Sequence, residues 1–331
     1  MVREWSPAHA SDPEIESMVD ALNEVFAIDL PNDPPWRATR MRDYLSETMP
    51  GERRVCWRAE SADGSAPDGY ANLLLLGDVG VLEVLVRPAA RGRGIGRALV
   101  ATAVRRAYTE GLSSIGVEAV SDTPAIQFWE SLGFRCVYVE TRSVLKLSQV
   151  DTKRLREMAD AAPPGYRVEY HPHTLPPPLL EPYAAAKASR REDNDLELHP
   201  SSYDARRLLA SLETLNRRGM TPYLVLAVHE ASGAVAALTE VVVPAQHPVR
   251  ADQYDTIVVP AHRGLGLERV IKARMLLELQ GAEPQLAEVQ TWNAPENDPM
   301  AGVNAELGYQ PDRQWREYEA DVFDLIHQLK P

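Results

Sequence analysis

The segment Val86–Gly96 (VRPAARGRGIG) carries the strongest chemical signature in this sequence. An apolar strand-like run ends at Val86, glycines follow at 92, 94 and 96, and a helix-forming run begins at Ile95. Glycine permits positive φ and lets the backbone approach a ligand closely. Successive N–H groups in such a loop, with the helix N-terminus behind them, converge on an anion. A pyrophosphate suits that arrangement. No Lys-Ser/Thr follows the glycines and their spacing differs from the dinucleotide fingerprint, so neither of those phosphate loops is present.

The pattern occurs twice. VRPAARGRG at 86–94 is repeated as VVPAHRGLG at 258–266, and SLGF at 131–134 as ELGY at 306–309. RAE at 58–60 and VHE at 228–230 precede a turn in each half. Motifs recurring in order at a nearly constant offset mark a duplicated domain. The second loop is not an exact copy, because Glu268 stands where the first has Gly96 and a carboxylate there repels a pyrophosphate.

Arg91-x-x-Gly94-x-Gly96 behind Val86-x-Pro88, with AIQFWESLGF at 125–134 downstream, resembles the two signatures of the GNAT acetyltransferase superfamily. The tail TWNAPENDPMAGVNAELGY resembles the C-terminal copy of tandem actinobacterial members. The resemblance implies a mixed-sheet α/β fold, as two tandem GNAT acyl-CoA N-acyltransferase domains, with acetyl-CoA as cofactor. It implies that the backbone of Val84 and Val86 pairs with the pantetheine arm. Arg91, Gly92, Arg93, Gly94, Ile95, Gly96, Arg97 and Ala98 are implied for the pyrophosphate, with Phe128 of the second signature also at the cofactor. The implied reaction transfers an acetyl group to a primary amine of a small molecule or peptide. A non-catalytic acyl-CoA-binding module and an acyltransferase with a longer acyl donor are the alternatives.

Direct transfer requires a neutral amine, hence a base. Glu83 lies three residues before Val86 and Asp255 three before Val258, so both repeats offer a carboxylate at the same place. Glu118 and Glu240 are further candidates, and each of the four could equally be an ion-paired or exposed group. Many family members place an acidic Tyr in the second signature. Here Trp129 and Asn304 stand there, and neither can transfer a proton, so that assignment does not carry over.

The elements positioning these residues read as follows. Ser11-Asp12-Pro13 opens a helix with an apolar stripe from Ile15 to Phe26, and Trp36–Glu47 is a second, shorter helix. Strands are expected at 53–60, 69–76, 80–87 and 114–120, with a turn at 62–65 and a final pair of strands within 134–147. One GNAT domain is expected over 1–149, a linker over 150–165 holding a short helix, and a second, degenerate GNAT-like domain over 166–331. Pro176–Pro178 reads as a rigid turn or a short polyproline stretch.

Composition narrows the class. The 331 residues are 44% apolar with a net charge of −13, which disfavours nucleic acid as a partner and leaves cationic amines attractive. Cys56 and Cys136 sit in strand-like surroundings and read as buried thiols of a reducing compartment. The N-terminus lacks a signal-peptide pattern and the apolar stretch 70–86 is broken by Asp78 and Glu83, so a cytoplasmic protein without a membrane span is expected, as a monomer or homodimer. The eight histidines show no metal-ligand spacing, His171-Pro-His173 included.

Overall fold

In the computed structural model, residues 1–61, 64, 66–189, 204–294 and 299–329 are described. The turn expected at 62–65 lies mostly outside them. The chain forms two compact units. One comprises Met1–Glu140 together with Arg313–Pro331, the other Thr141–Asp312. This division differs from a break at 150–165, because the last strand of each unit comes from an unexpected part of the chain.

In chain order the first unit opens with β1 (Val2–Trp5), α1 (Asp12–Asp29), α2 (Ala38–Ser46), β2 (Arg53–Glu60) and β3 (Pro67–Leu76). It continues with β4 (Val79–Val86), α3 (Ile95–Glu110), β5 (Ser114–Val120) and α4 (Pro124–Ser131). Strand β6 (Arg135–Lys146) is continuous where a pair of strands was expected, and the chain leaves the first unit within it. There follow α5 (Thr152–Ala159), β7 (Tyr166–Pro172), α6 (Pro177–Ala188), α7 (Ala205–Arg217), β8 (Met220–His229) and β9 (Val235–Pro244). Then come β10 (Arg250–Val258), α8 (Leu267–Ala282), β11 (Glu288–Asn293), α9 (Pro299–Leu307), β12 (Gln310–Asp321) and α10 (Val322–Gln328).

In the first unit β1 to β4 are antiparallel neighbours, β5 joins β4 in parallel, and β12 joins β5 antiparallel from Trp315↔Val120 to Asp321↔Ser114. Alternation along β2 sends Val55, Trp57 and Ala59 to one face and Cys56 to the other. The first face packs on α3, Trp129 of α4, and Val322, Leu325 and Leu329 at the C-terminus. The second packs on α1 and α2. Helix α1 starts at a capping box, with Ser11 N–H donating to Glu14 Oε2 at 3.0 Å, and α3 ends at Gly111 with φ +78°. Cys56 is buried and its thiol is pushed up to about 12 by burial, whereas Cys136 is exposed, against expectation.

The second unit repeats the plan. Residues 141–146 of β6 pair antiparallel with β11, β11 pairs parallel with β10, and β9, β8 and β7 follow antiparallel. Helix α5, expected as part of a linker, is instead a core element: Leu155, Met158 and Ala159 are buried with Leu276 and Leu279 of α8. Pro176–Pro178 is the start of α6 rather than a free turn, because Pro is preorganised for the first helical positions. Helices α6 and α7 cover the opposite face.

Candidate functional site

The site in the first unit begins where two parallel strands part. β4 and β5 pair only at Val79↔Ser114, Gly80↔Ile115 and Val81↔Gly116. Among the described residues no strand pairs with that edge of β4 beyond Val81, so Leu82–Val86 lack a strand partner there while their other edge bonds to β3. The fork therefore offers a ladder into which an extended amide-bearing ligand can pair. Val84 and Val86 lie on this free segment, partly buried against the core.

The loop follows at once. Gly92 has φ +74° and Gly94 φ +78°, a left-handed backbone that glycine adopts without strain. A Cβ at either would meet nothing within 4 Å, so the loop faces open space. Gly94 caps α3, and the first helical bond runs from Ala98 N–H to Gly94 O at 3.0 Å. The N–H groups of Ile95, Gly96 and Arg97 precede it and have no acceptor in the helix. At Gly96 a Cβ would come within 3.1 Å of the Phe128 ring, which lies against the start of the helix, so a side chain there would have to push that ring aside. Arg91 bonds Asp29 of α1 through both terminal nitrogens, at 3.1 and 2.5 Å, and its Nε donates to Val86 O at 3.2 Å. It braces loop, strand and helix together. Arg93 and Arg97 are exposed; Arg97 donates to Gln328 O at 3.4 Å.

The candidate bases separate into two kinds. Glu83 accepts hydrogen bonds from Tyr44 Oη (2.5 Å), Tyr70 Oη (3.2 Å) and Asn72 Nδ2 (2.5 Å), which fasten it against α2 and β3. Glu118 stands on β5 beyond the fork, directly opposite Glu317 on β12. Its side chain is exposed to solvent, while the protein crowded around it raises its carboxyl to about 7 by desolvation, helped by the charges of Glu317 and Glu83. Glu140 is likewise raised to about 7 by burial, then by Glu118 and Glu317. Burial raises Glu317 as well. The fork thus gathers three carboxyls raised by burial, of which Glu118 and Glu140 change protonation near neutrality. Glu140 and Glu317 escaped sequence reasoning, since only the register of the C-terminal strand brings Glu317 to Glu118.

Trp129, at the position of the family's Tyr, is a core residue. Its ring packs edge-on against Phe128 (4.9 Å) and Phe134 (5.0 Å), and only 4% of it is exposed.

The second unit has the same fork and loop with a different centre. β10 pairs with β11 only at Arg250–Asp252, and Gly264 (φ +77°) and Gly266 (φ +72°) repeat the left-handed positions. At the place of the Asn72–Glu83 pair stand Glu240 and Asp255, the latter in an irregularity of β10 between Gln253 and Thr256. Lys187 of α6 bonds both: its Nζ lies 2.9 and 2.8 Å from the Glu240 oxygens and 2.7 Å from Asp255 Oδ2. Tyr183 Oη also donates to Glu240. Burial, then the charge of Asp255, push the Glu240 carboxyl up, and the Lys187 ammonium on both its oxygens works against that push. Asn304 is buried and donates to Asn293 Oδ1 at 2.7 Å. His262 beside the loop is hydrogen-bonded to Tyr166 Oη at 2.8 Å. Thus Glu83 and Asp255 do occupy matching places, but Asp255 is committed to an internal ammonium.

Residues 16–134 match the acetyltransferase (GNAT) family and form a GNAT-family domain. A solved tandem GNAT protein from the clavulanic acid biosynthesis pathway, described without AcCoA, is 25% identical, with 97% of this chain and 98% of that one covered and a TM-score of 0.82. A GCN5-related N-acetyltransferase from Sphaerobacter thermophilus, 16% identical over 97% of this chain and 95% of its own, has a TM-score of 0.69 and shares the fold. The tRNA(Met) cytidine acetyltransferase TmcA of Nitrosococcus halophilus (strain Nc4) is 32% identical over 130 residues, which is 34% of this chain and 16% of that protein. The chain therefore spans only a small part of that relative. The mixed α/β architecture is that of a tandem GNAT protein. No helix among the described residues is long and apolar enough to cross a membrane.

Proposed function

We propose that this chain, a GNAT-family domain followed by a second unit of the same plan, is an acetyl-CoA-dependent N-acetyltransferase whose working site is the fork of the first unit. The observation carrying this reading is the juxtaposition at one fork of a free strand edge (Leu82–Val86), an anion-receiving loop (Gly92–Gly96) and the carboxyl of Glu118 near neutrality. The edge receives the amides of a pantetheine arm and the loop its pyrophosphate, so the thioester comes to the parting of the strands. A base with a pKa near the working pH removes the proton from an incoming ammonium most effectively. Glu118 fills that role better than Glu83, whose carboxylate is already engaged by three donors. Glu140 and Glu317 add negative charge that favours a cationic primary amine, of a small molecule or a peptide, over nucleic acid. Backbone N–H groups at the fork are donors to the developing oxyanion, and with Trp129 in the core the departing thiolate is protonated by solvent.

The test joins calorimetric titration with CoA to an assay of thiol release from acetyl-CoA with a panel of primary amines. One tight CoA site per chain and amine-dependent thiol release are expected. CoA binding without turnover on any amine would reduce the protein to an acyl-CoA-binding module, and absence of binding would sink the reading.

A further inference from the structure

In the second unit the strands, loop and helix-covered face match the first, yet the acceptor end of the fork holds a lysine of the chain itself. Ile257 and Leu85 occupy equivalent places, each packed under the paired helices of its unit, so Asp255 and Glu83 point to the same face. In the first unit that face presents hydroxyls and an amide to one carboxylate, from Tyr44, Tyr70 and Asn72. In the second, Glu240 replaces Asn72, so there are two carboxylates, and the Lys187 ammonium bridges them with three contacts of 2.7–2.9 Å. Lys187 has only 10% of its side chain exposed and Glu240 9%. A buried charge persists only when paired and hydrogen-bonded. Gln253 fixes the frame, its Nε2 donating to Thr239 Oγ1 at 2.9 Å and to the backbone oxygens of Glu240 (2.6 Å) and Asp255 (3.3 Å).

We infer that this is a binding site for a primary alkylammonium that the chain fills with its own Lys187, closing the second fork to external amines. The inference rests on the reading of the forks as acyl-transfer clefts; the site's affinity for an ammonium does not. Two features recognise the ligand: the pair of carboxylates, which offers it Glu240 Oε1, Glu240 Oε2 and Asp255 Oδ2, and Tyr183, whose phenol donates to the same Glu240 Oε1 and whose ring centre lies 5.6 Å from Nζ. Truncating Lys187 at Cβ removes a propylammonium equivalent and leaves its carboxylates in place.

The experiment is chemical rescue of the full-length chain. K187A should melt lower than wild type. n-Propylammonium chloride should raise its midpoint saturably, by several degrees at millimolar concentration, while equal sodium chloride or tetramethylammonium chloride does not. Wild type, whose site is filled, should not respond. Should K187A fail to fold, K187A/E240Q carries one carboxylate fewer and should show the same selective rescue with weaker affinity. If neither folds unaided, refolding yield in propylammonium against sodium chloride is the readout. Absence of selective rescue in the protein tested overturns the inference. Thiol release by the first fork is read separately, so failure of one reading leaves the other standing.

Discussion

At the residue scale, Glu118 and Gly94 carry the most. With its carboxyl raised to about 7, Glu118 is protonated in mildly acidic solution and becomes a base as pH rises. We predict a kcat/KM profile that climbs through a limb near pH 7. E118Q should lose about 10²–10⁴ in rate, the usual worth of a general base, with CoA affinity retained. An unchanged rate in E118Q would return the role to Glu83. Gly94→Glu should abolish CoA binding in calorimetry and leave the far-ultraviolet dichroism near wild type. Its φ of +78° costs an L-residue about 1–2 kcal/mol, which a folded domain tolerates, while the new carboxylate enters the space of the pyrophosphate. The loop was legible in sequence because glycine spacing states a backbone conformation directly. Glu140 and Glu317 were not, because a strand pattern says which face a carboxylate occupies and nothing about the strand beside it.

At the scale of elements, the β5–β12 ladder sets Glu118 directly against Glu317. Like charges at such a pair destabilise a sheet. Because their folded carboxyls titrate above the unfolded range, the fold binds extra protons, and stability is full below about pH 4.5 and falls as pH rises through 7. The melting midpoint should therefore drop between pH 5.5 and 8, and E317Q should flatten that slope; an identical slope in E317Q would show that the ladder is not its origin. Helix α5 teaches a related lesson. Its polar composition and position between the repeats read as a linker, yet Leu155 and Met158 lie on one side at helical spacing and are buried under α8. L155A should cost about 2–5 kcal/mol in denaturant unfolding, as for a cavity in a core. A value near zero would restore the linker reading.

At the scale of the whole molecule, duplication was legible and the chain's route through it was not. Repeated motifs locate two copies, but they lie in loops and helices, while the chain passes from one unit to the other within β6 and back within β12. Tyr318, Ala320, Val322, Leu325 and Leu329 all belong to the core of the first unit. A fragment ending at residue 149 lacks them and the whole strand that pairs with β5, so it should be insoluble or unfolded. Residues 1–140 joined by a short linker to 313–331 should give a soluble, cooperatively melting protein. Cooperative folding of the 1–149 fragment would refute this account of the unit.

The exchanged strand also sets a clock on biosynthesis. Tyr318 Oη donates to Glu130, a partner 188 residues earlier, at 3.1 Å. The first unit must thus wait, its sheet open beside β5, until the segment from Arg313 onward has been synthesised. Domains ordinarily fold as units, the N-terminal one first during synthesis; here the part that emerges first is finished last. A chain that stops anywhere between residues 140 and 313 leaves the first fork without its partner strand, so an intact first fork certifies that synthesis has passed Asp321.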